Sequence, residues 1–429
     1  MLAINRWIGV ATALCVLADL SSARGQDVAP VHQHEAQHEH GASGPSLVED
    51  VSGTGWLPGA VPMYAWHRQA GSWMVMTHGN AFVQYVRDAG PRGHEQGGST
   101  NWLMVMATRP ASGGQLALRG MISAEPWTVG GCGYPDLLAS GERCGGSAIH
   151  DLQHPHDAVM ELAANYTHPL RGTLRWQVYG GIAGEPALGP IAFSHRPSSM
   201  GNPLAPIAHH WLDATHVTFG VVTGAISGTR WKVETSAFNG REPDEDRTDV
   251  DYGRLDSYSG RLSWLVGPTL MLQASAGRLK DVEPAHEGAA GPGDLTRATV
   301  SAIWHRARAN GGWWATTAAW GMNSADGHAT HAVLAETQLS LRERDVVFGR
   351  VEVVGKDGHD LDVEPEATVR TVAKLQAGYT RYLPLVSGLQ TGLGVEASAG
   401  IVPSALRTIY GGRVNGGVAA FLVVRPRPH

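Results

Sequence analysis

The sequence predicts an all-β fold, a transmembrane antiparallel β-barrel of about sixteen strands with short periplasmic turns and long extracellular loops. Three observations carry this. Runs of alternating apolar and polar residues recur from Ser72 to the C-terminus. The connections between them alternate between short and long. Beyond the N-terminal Trp7–Leu20 run, no stretch is long and apolar enough for a membrane helix, so any spanning falls to strands.

Leu212–Glu242 is the template. Two alternating runs flank Ser227-Gly228-Thr229, which reads as a hairpin turn. In the second run Trp231, Val233, Thr235 and Ala237 share one face, and Arg230, Lys232, Glu234 and Ser236 share the other. A soluble sandwich would bury the apolar face, whereas a membrane barrel turns it to lipid and keeps the charges inside.

Taken in order, Met1–Arg6 carries one positive charge. The apolar Trp7–Leu20 and the small Ser21-Ser22-Ala23-Arg24-Gly25 follow, which makes residues 1–25 a secretory signal peptide. Cys15 lacks the preceding small residue of a lipoprotein acceptor. Cys132 and Cys144 remain, and two close cysteines in an exported chain are most simply a disulfide across one loop; free thiols or soft-metal ligands are the alternative. Residues 26–71 are expected to form a histidine-rich periplasmic arm followed by a strap or plug. His32, His34, His38 and His40 interleave with Glu35 and Glu39 and have almost no apolar company.

Residues 72–429 are expected to form the barrel. Strands are predicted at 72–86, 100–109, 115–126, 156–168, 173–184, 213–226, 229–240, 254–266, 269–281, 294–307, 312–323, 329–342, 345–356, 367–383, 388–400 and 413–425. Short connections such as 111–114, 169–172 and 267–268 alternate with long ones such as 127–155, 185–211 and 241–253. A Greek-key sandwich would scatter its long connections over both ends, so the barrel is preferred. Tyr166, Trp176, Trp264, Trp304, Trp320 and Tyr379 fall near strand ends, where an aromatic girdle belongs. One departure is the terminus: Phe421 lies in the last run, but the chain finishes Arg425-Pro-Arg-Pro-His429 rather than on an aromatic.

The stretches GEPALGPIAFSHRP (Gly184–Pro197), GNPLAPIAHHWLDATHVTFG (Gly201–Gly220) and HDLQHPHD (His150–Asp157) resemble a family of porin-like bacterial outer-membrane β-barrel proteins of uncharacterised function. The resemblance runs from about Gly53 to the last strand. It implies the fold and an outer-membrane location, and it transfers no activity.

The net charge of -6 excludes a broadly basic nucleic-acid binder. All 21 histidines lie beyond the N-terminal apolar run, a density that asks for an explanation. One candidate metal group is His150, His154, His156 and Asp157 with His209, His210, Asp213 and His216. Both segments descend from the same rim, and imidazole with carboxylate suits zinc, copper or nickel. The alternative is that these groups hydrogen-bond loops folded into the barrel. A second candidate follows from parity, which places Met74, Met76, His78, Met104, Met106 and Met121 side by side on the inner wall. Thioethers are apt for Cu(I), although methionine also fills gaps. A third feature is a set of inward charges of both signs, among them Arg119, Arg175, Arg230, Lys232, Arg261, Arg297, Arg350, Arg370 and Lys374 against Glu161, Glu234, Glu336, Glu352 and Glu396. The acidic run from Asp244 to Asp251 reads as a cation site or a solvated face.

No G-x-S-x-G elbow, H-E-x-x-H or phosphate loop occurs, and nothing singles out a nucleophile. The expected function is a channel that passes or captures small solutes, with copper as first cargo. The alternatives are a general or substrate-specific porin with structural histidines, or a barrel-embedded metal-dependent or lipid hydrolase. No cofactor is required, although Cu or Zn ions are candidates. The expected partners are outer-membrane lipid, small solutes or metal ions and other copies of the chain, a trimer by analogy of size.

Overall fold

The structure, a computed structural model, describes residues 48–60, 63–282, 293–309, 311–325, 327–342 and 344–427. The expected signal peptide and the arm histidines His32, His34, His38 and His40 lie outside these residues. The chain opens with β1 (Val48–Asp50), β2 (Trp56–Pro58) and β3 (Ala65–Ala70), then the long β4 (Trp73–Asp88), β5 (Glu95–Ala111) and β6 (Gly114–Ile122). A separate hairpin follows, β7 (Tyr134–Cys144) and β8 (Ser147–Gln153). The wall resumes with β9 (Val159–Arg171), β10 (Leu174–Gly184), β11 (Thr218–Ser227), β12 (Trp231–Phe238), β13 (Ser257–Gly267) and β14 (Leu270–Leu279). It ends with β15 (Leu295–Ala307), β16 (Trp313–Ala325), β17 (His328–Leu341), β18 (Asp345–Lys356), β19 (Arg370–Leu383), β20 (Leu389–Ile401) and β21 (Val414–Pro426).

The sixteen long strands pair antiparallel with their neighbours, β6 passing directly to β9, and the ring closes where β21 pairs with β4. That seam is divided. β21 covers Ala81–Asp88 of β4, and the short β3 covers Trp73–His78.

The period of two holds along the wall. In β12 every second residue from Lys232 is buried and every second from Trp231 is exposed. Outside, Val233, Leu262, Val300, Val351, Leu393 and Val418 are each 40% exposed or more. An apolar outer face on a closed ring of paired strands is the surface of an outer-membrane barrel. Near the short turns, Trp231 lies opposite Trp264, and Trp304 packs edge-on to Trp314 at 5.4 Å. The indoles gather where the hydrocarbon meets the headgroups.

Four expectations need correction. Connection length does not alternate strictly, because β16 and β17 meet on the loop side across residues 326–327 and β4 and β5 are joined by 89–94. Long strands there carry their own ladder outward, so a loop is not needed. Second, residues assigned to strand ends are helical: Glu125–Thr128 and Ala214–His216 turn away from the wall. Pro126 lacks the donor a ladder requires. Third, Arg175 and Arg230 keep the parity of Gln177 and Lys232 but sit exposed beside the turns, outside the buried lumen. Fourth, the loop after β10 does not stay at the rim but folds into the lumen as a plug. Residues 185–217 run inward from β10 to β11 and are buried almost throughout.

The inward charges anchor that plug. Buried Arg350 donates to the Leu204 carbonyl, the Ser199 hydroxyl and Glu336. Glu352 accepts from the Ala208 amide, and Asn80 donates to the Met200 carbonyl. Residues 48–60 form a second inner layer. Arg119 donates to the carbonyls of Val51 and Gly53, and Lys232 to that of Thr54. Charges buried in a barrel are tolerable only when so satisfied. At the mouth the β7–β8 hairpin, closed by the Cys132–Cys144 bond, adds Leu137 and Leu138 to an apolar cluster with Ile207, Trp211, Leu334 and Val372.

Candidate metal centre in the barrel mouth

The plug brings together most of the loop histidines. The Pro155 turn ahead of β9 presents His154 and His156. The short helix His209–Leu212 presents His209 and His210, and the following turn presents His216. Ring centroids lie 5.1 Å apart for His209–His216, 5.2 Å for His156–His216, 5.4 Å for His209–His210 and 6.0 Å for His154–His210. Phe193 sits among them, stacked on His156 at 5.8 Å and edge-on to His209 and His216.

Four of these rings are anchored through the same nitrogen. His156 Nδ1 lies 2.9 Å from Glu125 Oε2, and His209 Nδ1 lies 2.9 Å from Asp213 Oδ1. His210 Nδ1 lies 3.2 Å from Glu242 Oε1, and His216 Nδ1 lies 2.8 Å from the Asp213 carbonyl. Each arrangement leaves Nε2 as the outward atom. Those of His156 and His216 face each other at 3.1 Å.

Arg196 organises the floor. It donates to Asp213 Oδ2 at 2.5 Å, to Glu336 Oε1 at 2.6 Å and to the Ile191 carbonyl at 2.8 Å, all buried. Burial opposes ionisation of Asp213, but the Arg196 guanidinium and His209 outweigh it and hold the carboxyl below its usual range. Burial likewise disfavours charge on His156, yet the Glu125 carboxylate prevails and raises it. Burial lowers His209 to about 4 and His154 to about 3, and it takes His216 well below its usual value. His154, His209 and His216 are thereby held as neutral imidazoles.

The remaining sequence candidates divide. His150 is elsewhere, its Nε2 3.0 Å from the His359 carbonyl. Asp157 faces Arg247 at 3.5 Å, and burial pushes it up to about 8. His78, Met104, Met121 and Glu161 stand opposite one another in register, one row across β4, β5, β6 and β9. Met76, Met106 and Arg119 form the next row, and Met74 lies opposite Thr108. Met104 and Met121 are buried with Met160, Phe219 and Val217. His78 and Trp102 line a cavity of about 70 Å³ with His195, Met200 and Tyr64. Among the described residues, only Asp244, Asp249 and Asp251 bring three such ligand atoms within 4.8 Å of one another.

The sequence reading missed Glu125, Glu242, Phe193 and Arg196. Glu125 was hidden by assigning it to a strand. Arg196 sits in an aperiodic run that gives no sign of facing Glu336, 140 residues away in sequence.

No protein-family model matches the chain, and no curated protein does. Solved structures do. Salmonella typhi OmpF, in a complex with daunomycin, is 8% identical, with a TM-score of 0.51 over 84% of this chain and 100% of that one. Pseudomonas putida OprB is 9% identical, with a TM-score of 0.49 over 82% and 94%. Vibrio cholerae OmpT is 8% identical, with a TM-score of 0.45 over 84% and 99%. At such identities the OmpF likeness speaks for the fold, and it agrees with what the closed ring and its apolar belt show: an outer-membrane β-barrel of porin-like architecture.

Proposed function

We propose that this barrel passes or captures small solutes across the outer membrane under the control of an internal plug, with a borderline or soft transition metal, copper first, as the favoured cargo. One observation carries the reading: buried ion pairs and hydrogen bonds fix the plug to the wall beside apolar clusters, and the plug carries a group of imidazoles at the mouth. The Met104–Met121 row lies on the same inner wall as His78, and thioethers extend the ligand set inward.

Conductance of the purified protein in planar bilayers tests this reading. Discrete steps that Cu(II) or Zn(II) block or modulate support a metal-responsive channel. Steps indifferent to metal favour a porin with structural histidines. A lumen that never conducts, under any applied voltage or with the plug pairs removed, overturns the channel.

A further inference from the structure

We infer that the His156 and His216 Nε2 atoms form an exchangeable two-point site for a divalent transition metal, with Glu125 and the Asp213 carbonyl setting the tautomers. The assignment of this metal as cargo rests on the function proposed above; the site itself does not.

The proton inventory is the first step. The Asp213 carbonyl can only accept, so the His216 nitrogen 2.8 Å from it carries the hydrogen, and the lone pair is on Nε2. Glu125 accepts from the backbone N–H groups of Asn101 at 3.0 Å and His156 at 2.8 Å, which makes it an ionised acceptor. The His156 nitrogen 2.9 Å from it therefore also carries the hydrogen. With both rings neutral, two lone pairs would confront each other across 3.1 Å. Neutral imidazoles repel in that arrangement, so the geometry calls for a cation between them, either a proton or a metal ion.

Distance selects the metal. With metal–nitrogen bonds of about 2.0–2.1 Å, two nitrogens at a right angle are about 2.9 Å apart, at a tetrahedral angle about 3.3 Å, and in a linear complex about 4 Å. The observed 3.1 Å falls between the first two. It suits cis positions on Cu(II), Ni(II) or Zn(II) and excludes linear Cu(I). The supporting groups are those of protein metal sites, where a ligating imidazole donates its other N–H to a carboxylate or carbonyl. Phe193 stacked on His156 fixes the ring plane.

Coordination is incomplete by design of the fold. Among the described residues no third imidazole or carboxylate atom joins the pair within 4.8 Å. The other positions fall to water or to ligands the metal brings with it. The His156 side chain is 16% exposed, so the site is reachable from the mouth. Two protein ligands and an open side make a site that loads and unloads.

The test uses the full chain carrying His32, His34, His38 and His40→Ala, so that the arm does not compete. Cu(II), Ni(II) and Zn(II) are titrated separately, and Cu(II) is read by electron paramagnetic resonance. The expected result is one site with coupling to two imidazole nitrogens, lost in both His156→Asn and His216→Asn. Glu125→Gln keeps both ligands and should weaken binding about 10–100-fold. Heat-modifiable gel migration confirms that each variant is a folded barrel. An unchanged stoichiometry in both histidine variants, or a ¹⁵N spectrum showing only a proton shared between the rings at saturating metal, overturns the site. Either outcome leaves the conductance test untouched, and a silent bilayer leaves this binding test untouched.

Discussion

Arg196 Nε lies 2.6 Å from Glu336 Oε1, joining the middle of the plug to β17 where both side chains are buried. The same guanidinium holds Asp213 at 2.5 Å, so one cation neutralises two carboxylates from different elements. Replacing it leaves Asp213 without its arginine and Glu336 with Arg350 alone.

Arg196→Ala is therefore expected to destabilise the docked plug by about 3–5 kcal/mol, the cost of breaking a buried pair by removing one partner. The wall does not depend on it, so the barrel should still form. The expected readout is larger or more frequent conductance steps, with faster proteolysis within residues 185–217. Unchanged conductance would show that this pair does not hold the plug closed.

Glu185 gives the inner strap a pH dependence. Burial pushes its carboxyl up to about 7, against the Arg261 charge at 3.8 Å, while Ser52 of the strap donates to it. An ordinary glutamate ionises near 4.3. The docked form thus holds the proton more tightly, so its stability is full in acid, declines as the pH rises from about 4.3 to about 7, and stays level above. The span corresponds to a few kcal/mol at most, on the order of 3. Hydrogen-exchange protection of residues 48–60, normalised for intrinsic exchange, should fall across that window. Glu185→Gln should flatten the dependence.

Val300 sits mid-strand in β15, 52% exposed on the outer face. Val300→Arg is expected to cost about 2–4 kcal/mol of folding stability in lipid vesicles, because the charge meets hydrocarbon near the midplane. Leu385→Arg, in the wet turn between β19 and β20, should cost close to nothing, although Leu385 is 68% exposed. Urea titration in vesicles measures both, and equal costs would contradict the lipid-facing assignment.

The Cys132–Cys144 bond ties the residues ahead of β7 to the end of that strand, a separation of 12 residues. Cys132→Ser with Cys144→Ser should loosen the β7–β8 hairpin by about 3 kcal/mol on the chain-entropy account. Leu137 and Leu138 would then leave the mouth cluster more often. Exchange at the Leu137 and Leu138 amides is the readout, with little change expected in the barrel strands.

The wall was readable from sequence because a two-sided environment writes itself into alternate residues. Val233 against Lys232 and Glu234 shows it within three positions. The same parity puts His78, Met104 and Met121 on the inner face, and the register then sets them in one row. The plug left no such mark. Arg350 and Glu336 would show the same spacing whether they faced water or the carbonyl of Leu204, since parity reports which side a residue faces and not what fills it. The partners of the plug are also remote in sequence, as with Asn80 and Met200, 120 positions apart. The histidine pair was half legible. His156 and His216 stood out by type, but their Nδ1 anchors depend on a helix at Glu125 and a turn at Asp213 that no periodicity announces.

The divided edge of β4 carries a consequence for how the molecule is made. β3 grips one half of that edge, after residues 48–60 have taken their place in the interior, and β21, the last strand of the wall, takes the other half. A chain that joined its final stave before threading those residues would have to reopen a finished hoop to bring Arg119 and Lys232 to their carbonyl partners. A cask whose staves close around contents already laid inside would need no such reopening.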